Sequence, residues 1–125
     1  MSVRAESYCT NGYLVVAELL DESTVEACCS TLAQWRGRRP GAALLAVPSG
    51  TDAFVDSLVG DGRLTGLAAE LLGRPVACFG CTFVVKEPGS EAAVALWHQD
   101  GYPWETSLGI DSAVTLWIAL DRMSA

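Results

Sequence analysis

Apolar residues recur along this chain in two rhythms, one helical and one alternating, and their order sketches a fold. Gly12 to Ala17 (GYLVVA) follows an Asn-Gly turn signal and reads as a short β-rich run. A helix comes next. Asp21 or Ser23 can cap its start, Ser23 and Glu26 stand at capping-box spacing, and Val25, Cys28, Cys29 and Leu32 recur at i, i+3, i+4 and i+7. Trp35 closes that stripe. Gly37 to Gly41 includes Arg38, Arg39 and Pro40, which stop the helix, and the chain from there to Gly50 reads as loop.

Thr51 or Asp52 can cap a short helix carrying Phe54, Val55, Leu58 and Val59, which Gly60-Asp61-Gly62 breaks. A clearer helix then holds Leu64, Leu67, Ala68, Leu71 and Leu72 at helical spacing, with Gly73 and Pro75 as its stop signal. Val76 to Lys86 reads as a strand and Pro88-Gly89-Ser90 as a turn. The strongest strand is Ala113 to Leu120 (AVTLWIAL), with Val114, Leu116, Ile118 and Leu120 on one face and Thr115, Trp117 and Ala119 on the other. Helices first and strands last predict an α+β domain. Its sheet is only beginning at Ala113 to Leu120, so that segment offers a flat apolar edge for which another chain is the expected cover.

Composition narrows the function classes. The chain has 125 residues, half of them hydrophobic, which suits one domain with a real core. No apolar run approaches the roughly 18 residues of a membrane span, and Met1 to Ser7 carries Arg4 and Glu6 rather than a signal peptide's apolar segment. These features predict a soluble cytoplasmic protein. A net charge of -7 argues against nucleic acid, because phosphate binding needs a basic face and the one dense basic cluster is Arg36, Arg38 and Arg39.

The five cysteines, Cys9, Cys28, Cys29, Cys78 and Cys81, are an odd set without an export signal, which predicts free buried thiols rather than a disulfide framework. Cys78-Phe79-Gly80-Cys81 has the C-x-x-C spacing of zinc ribbons and redox enzymes. No second such pair exists to close a tetrahedral site, and the first cysteine sits in a strand-like run rather than at a helix start.

The chemistry concentrates in Trp97-His98-Gln99-Asp100-Gly101-Tyr102-Pro103-Trp104, which holds the only histidine of the chain. In extended backbone His98 and Asp100 emerge on the same face and can meet one metal ion. Imidazole and carboxylate suit a divalent metal such as iron, and with a second imidazole they make the facial triad that leaves positions open on Fe(II). The spacing alone is a weak motif, and the bland reading of a lone histidine is a satisfied structural residue.

The surroundings carry more weight. Gly12-Tyr13-Leu14-Val15-Val16, Leu71-Leu72-Gly73-Arg74-Pro75-Val76, Lys86-Glu87-Pro88-Gly89-Ser90, Trp97-His98-Gln99-Asp100 and Val114-Thr115-Leu116-Trp117-Ile118-Ala119-Leu120-Asp121, in that order, resemble the phytanoyl-CoA dioxygenase family. The resemblance covers most of the chain. It implies a double-stranded β-helix, or jelly roll, incomplete in these residues. Residues 1-125 would form one domain, with residues 1-75 its helical front and 76-125 its first jelly-roll strands.

The resemblance also implies Fe(II) and 2-oxoglutarate as cofactors, with His98 and Asp100 as metal ligands and catalytic residues. An aspartate at position 100, where halogenating relatives carry a small residue that admits chloride, implies hydroxylation or a related oxidation of a small metabolite. Trp104 is expected either at the barrel mouth against substrate or co-substrate, or in core packing. Lys86, the only lysine, is a pocket cation or a solvated strand end. Thr115 and Trp117 fall on the lumen side by alternation, where packing competes with cofactor binding.

One departure from the family stands out. Its members continue into further strands that bring the distal histidine and an arginine for the far carboxylate of 2-oxoglutarate, and neither has a counterpart here. A site completed by another chain, a truncated oxygenase, and a non-catalytic scaffold of the same fold each account for this. A second protein chain or a homo-oligomer over residues 113-120 is the expected partner, besides a small-molecule substrate.

Overall fold

The computed structural model describes residues 1–89, 98, 100 and 112–122. Four helices and one two-stranded antiparallel sheet are described, so the domain is α+β: α1 Val3–Asn11, α2 Glu22–Arg38, β1 Leu44–Val47, α3 Ala53–Val59, α4 Gly62–Leu72 and β2 Cys81–Val84.

Each helix starts on a side chain that satisfies otherwise unpaired backbone N–H groups. Ser2 accepts from the Ala5 amide in α1, Asp21 from Thr24 in α2, Asp52 from Phe54 and Val55 in α3, and Asp61 from Arg63 in α4. Of the alternatives open in sequence, Asp21 rather than Ser23 caps α2, and the Ser23 hydroxyl donates to Asp21 at 2.6 Å. Asp52 rather than Thr51 caps α3. Gly12 and Gly73 close α1 and α4 in the left-handed conformation, at φ of 79° and 66°, which glycine adopts without a Cβ penalty.

Several elements differ from the sequence expectation. Val3–Asn11 is a helix that had no sequence prediction, since only Ala5 of its residues is buried and its apolar stripe is faint. The Asn11-Gly12 signal therefore ends a helix rather than opening a strand. α2 continues past Trp35 to Arg38, and its core seats are Cys28, Thr31 and Trp35, while Cys29 is exposed and its thiol donates to the Leu120 carbonyl at 3.4 Å. Gly62 belongs to α4 instead of breaking a helix. The expected loop from Gly37 to Gly50 contains β1.

β1 and β2 pair in the register Leu44↔Val84, Leu45↔Phe83, Ala46↔Thr82 and Val47↔Cys81. Successive side chains point to opposite faces, so Leu45, Val47 and Phe83 are buried while Leu44 and Val84 face outward. β2 is shorter than the expected Val76 to Lys86 strand because four β1 residues limit its ladder. One further bond, Val85 N–H to the Ala43 carbonyl at 2.8 Å, extends it.

The core has two clusters. Trp35, Leu45, Val47, Val55 and Phe83 form one between α2, α3 and the sheet, and Cys28, Leu58 and Leu64 form the other between the helices. Leu120 packs against both. In residues 112–122 the expected alternation is present, with Val114, Leu116, Ile118 and Leu120 half-buried and Thr115, Trp117 and Ala119 exposed. No ladder joins this segment to another among the described residues. Alternation follows from extended side-chain geometry, whereas a ladder needs a neighbouring backbone. Residues 13–16 behave likewise, with Leu14 and Val16 half-buried and Tyr13 and Val15 exposed.

Candidate functional site

The two alternating segments without ladders line the same groove, of about 1290 Å³. Leu14 and Val16 from one segment, Val114 to Ala119 from the other, and Leu64, Leu67 and Leu71 of α4 give it apolar walls. α4 turns those leucines one way because they recur at helical spacing, and Leu64 and Leu67 are also buried. His98 and Asp100 lie on the same groove.

The two residues stand side by side. His98 Nε2 is 3.1 Å from Asp100 Oδ1, and both side chains are about half exposed, at 59% and 48%. The other carboxylate oxygen, Oδ2, accepts from the Thr115 hydroxyl at 3.0 Å. One imidazole nitrogen and one carboxylate oxygen are a borderline and a hard donor, which suits a divalent first-row metal. Two neighbouring donors at octahedral bond lengths of about 2.1 Å would stand about 3 Å apart, close to the separation seen. Donor type and spacing are therefore compatible with a shared divalent metal, and the same 3.1 Å is also an imidazole–carboxylate ion-pair distance. Among the described residues no group of three His, Cys, Asp or Glu side chains is placed to hold a metal ion, and the chain has no second histidine.

Thr115 and Trp117 line the groove with this pair, and Trp117 is 64% exposed. Lys86 is exposed two residues beyond β2 and is not part of the groove lining. Trp104 lies outside the described residues. No arginine or lysine lines the groove among the described residues, so they hold no cation there for the far carboxylate of 2-oxoglutarate. Tyr8, Tyr13 and Leu14 also line it and had no site role assigned from sequence. The signal for Tyr13 and Leu14 was the alternation of residues 12–17, which marks a wall but not what the wall encloses.

Away from the groove, the cysteines stay unpaired. All five are free thiols; Cys28 is buried, Cys81 half-buried, and Cys9, Cys29 and Cys78 exposed, so the expectation of buried thiols holds fully for Cys28 alone. Burial pushes the Cys28 and Cys81 thiols above their ordinary range, which makes them poor nucleophiles. No helix among the described residues is long and apolar enough to cross a membrane.

No curated protein and no solved structure matches this chain. The family model described as Phytanoyl-CoA dioxygenase (PhyH) matches residues 8–125, a span that includes the groove segments, His98 and Asp100. Members of that family are in general Fe(II)/2-oxoglutarate-dependent oxygenases. With that span matched, the chain belongs to the phytanoyl-CoA dioxygenase family.

Proposed function

We propose that this protein is a hydroxylase-type Fe(II)/2-oxoglutarate oxygenase acting on a small metabolite, and that its metal centre is completed by groups outside these 125 residues. The observation that carries the proposal is the pairing of His98 and Asp100 at 3.1 Å on an apolar groove, in a chain of this family. His98 and Asp100 are the two metal ligands this chain contributes. The second imidazole and the arginine that pairs with 2-oxoglutarate come from a partner chain or from a longer form of the polypeptide, because the sequence has one histidine and no described cation lines the groove.

Bound iron and 2-oxoglutarate would supply the oxidising chemistry. The chain's own residues have plainer work. His98 and Asp100 present neighbouring donors, Thr115 holds the second oxygen of Asp100, and the leucines of α4 with Leu14 and Val16 keep one side of the groove apolar. An apolar wall limits water near the reacting centre and accepts a substrate's hydrocarbon part. Thr115, Trp117 and Trp104 are the residues of this chain proposed to meet cofactor or substrate. Lys86, exposed and outside the groove lining, is read as the solvated strand end.

The alternation at residues 13–16 and 113–120 supports reading both as strands of a jelly roll whose neighbours complete the ladder. A second chain or second copy laid against residues 113–120 would supply that neighbour, cover exposed Trp117 and close the groove. Five free thiols suit the reducing cytoplasm, where this reading sets the protein.

The test is succinate formation from 2-oxoglutarate with Fe(II) and oxygen, measured for the chain with a co-encoded short protein that carries a histidine and an arginine. Turnover that needs both chains and disappears with Asp100→Ala is expected. Turnover unchanged by Asp100→Ala would refute the assignment.

A further inference from the structure

We propose that Thr115 is a positioning residue that fixes which oxygen of Asp100 faces the metal. The proposal rests on the reading of His98 and Asp100 as ligands.

The two oxygens of Asp100 have different surroundings. Oδ1 lies 3.1 Å from His98 Nε2, whereas Oδ2 accepts from Thr115 Oγ1 at 3.0 Å. A carboxylate held at neither oxygen can rotate about its Cβ–Cγ bond or chelate through both atoms. With Oδ2 tied to a hydroxyl, Oδ1 remains beside the imidazole as a single donor and a neighbouring coordination position stays free.

What aims the hydroxyl is the packing of its neighbours. Leu116 packs against the cluster of Cys28, Leu58 and Leu64, and Ile118 and Leu120 pack there too. Alternation then turns Thr115 to the opposite face, towards Asp100. Threonine is branched at Cβ and stiff at χ1, so once the backbone is held its hydroxyl has few directions to take. The contact links Asp100 to the helical core through residues 114–120. Hydrogen bonds to a ligating carboxylate orient it, and their loss lowers metal affinity by about 10- to 100-fold.

The experiment uses Mn(II) alone as the probe, following the electron paramagnetic resonance signal of free Mn(II) in titrations of the full chain, by itself and with the co-encoded partner that completes the site. Four proteins are compared: wild type, Thr115→Val, Thr115→Ser and Asp100→Ala, each checked for an unchanged circular dichroism spectrum and melting temperature. Valine keeps the shape and loses the hydroxyl, so Thr115→Val is expected to weaken Mn(II) binding by about tenfold or more. Thr115→Ser restores the affinity, a rescue that shape alone would not bring. Thr115→Val binding Mn(II) like wild type, while Asp100→Ala abolishes binding, would overturn the proposal and leave the ligand pair standing. Wild type and Asp100→Ala behaving alike with the partner present as well as without it would overturn the ligand assignment and the proposal with it.

Discussion

The indole N–H of Trp35 donates to Asp52 Oδ2 at 2.9 Å, so the residue that fills the core between α2 and the sheet also holds the carboxylate that caps α3. Oδ1 of the same group accepts from the Phe54 and Val55 amides at 3.1 and 3.2 Å. Trp35→Phe keeps most of the ring and removes the donor, and is expected to lower the unfolding free energy by about 1–3 kcal/mol in urea denaturation. The Trp35 bond first, then the cap amides, hold the Asp52 carboxyl below the usual carboxylate range. A carboxyl lowered on folding contributes stability that is full above its unfolded value of about 3.9 and is lost as pH falls through the folded value. Asp52→Asn therefore flattens the acid limb of melting temperature against pH.

A second acid-sensitive tie joins α2 to α4. Arg63 donates to Asp21 Oδ2 and to Asp61 Oδ2, each at 2.8 Å, and those aspartates cap the two helices. The Ser23 hydroxyl first, then Arg63, hold the Asp21 carboxyl low, and Arg63 does the same for Asp61. Both contributions follow the Asp52 sign, present above the ordinary carboxylate range and fading below it. Arg63 and Asp21 are exposed and Asp61 is partly so, and Arg63→Gln is therefore expected to lower the melting temperature only slightly. The difference from wild type should shrink in 1 M salt, where surface charges are screened.

The sheet register is tested by neighbours on opposite faces. Leu45 is 0% exposed and Leu44 is 65% exposed. Leu45→Ala is expected to cost about 2–5 kcal/mol in chemical denaturation, and Leu44→Ala less than about 0.5 kcal/mol. Equal effects would contradict the alternation.

The same contrast probes residues 112–122. Leu120 packs on both core clusters while Trp117 faces outward. Leu120→Ala is expected to lower the melting temperature by several degrees, and Trp117→Ala to leave it nearly unchanged in the isolated chain. A partner laid over this segment would reverse the second result in the complex.

These contrasts show where the sequence was readable. Helices α2, α3 and α4 announce themselves because an aspartate cap and an apolar stripe coincide, as in Asp61 followed by Leu64, Leu67 and Ala68. α1 does not, since it buries only Ala5 and meets α4 with a Ser2 to Glu70 hydrogen bond rather than an apolar stripe. β1 was hidden because Ala42 to Val47 follows Arg38, Arg39 and Pro40 and is rich in alanine and leucine, with no polar alternation to mark a strand. Its strand character comes from pairing with residues some 37 positions away, a distance local pattern does not see.

The site was legible to a different degree. The i and i+2 spacing of His98 and Asp100 pointed to their meeting, and the structure sets them 3.1 Å apart. That Thr115 reaches Asp100 depends on residues 114–120 being folded onto α2, α3 and α4, so alternation could give its side of the strand but not its bond. Lys86 matched a family segment by position, yet the end of β2 leaves it exposed outside the groove lining.

Iron binding by His98 and Asp100 is the core of the proposed chemistry. Its most direct test is an anaerobic titration of Fe(II) with 2-oxoglutarate, following the visible metal-to-ligand charge-transfer band, for wild type and His98→Ala, each alone and with a co-encoded partner. A band that needs His98 and is strengthened by the partner is the predicted result. No band in any combination, or one indifferent to His98, would contradict the claim.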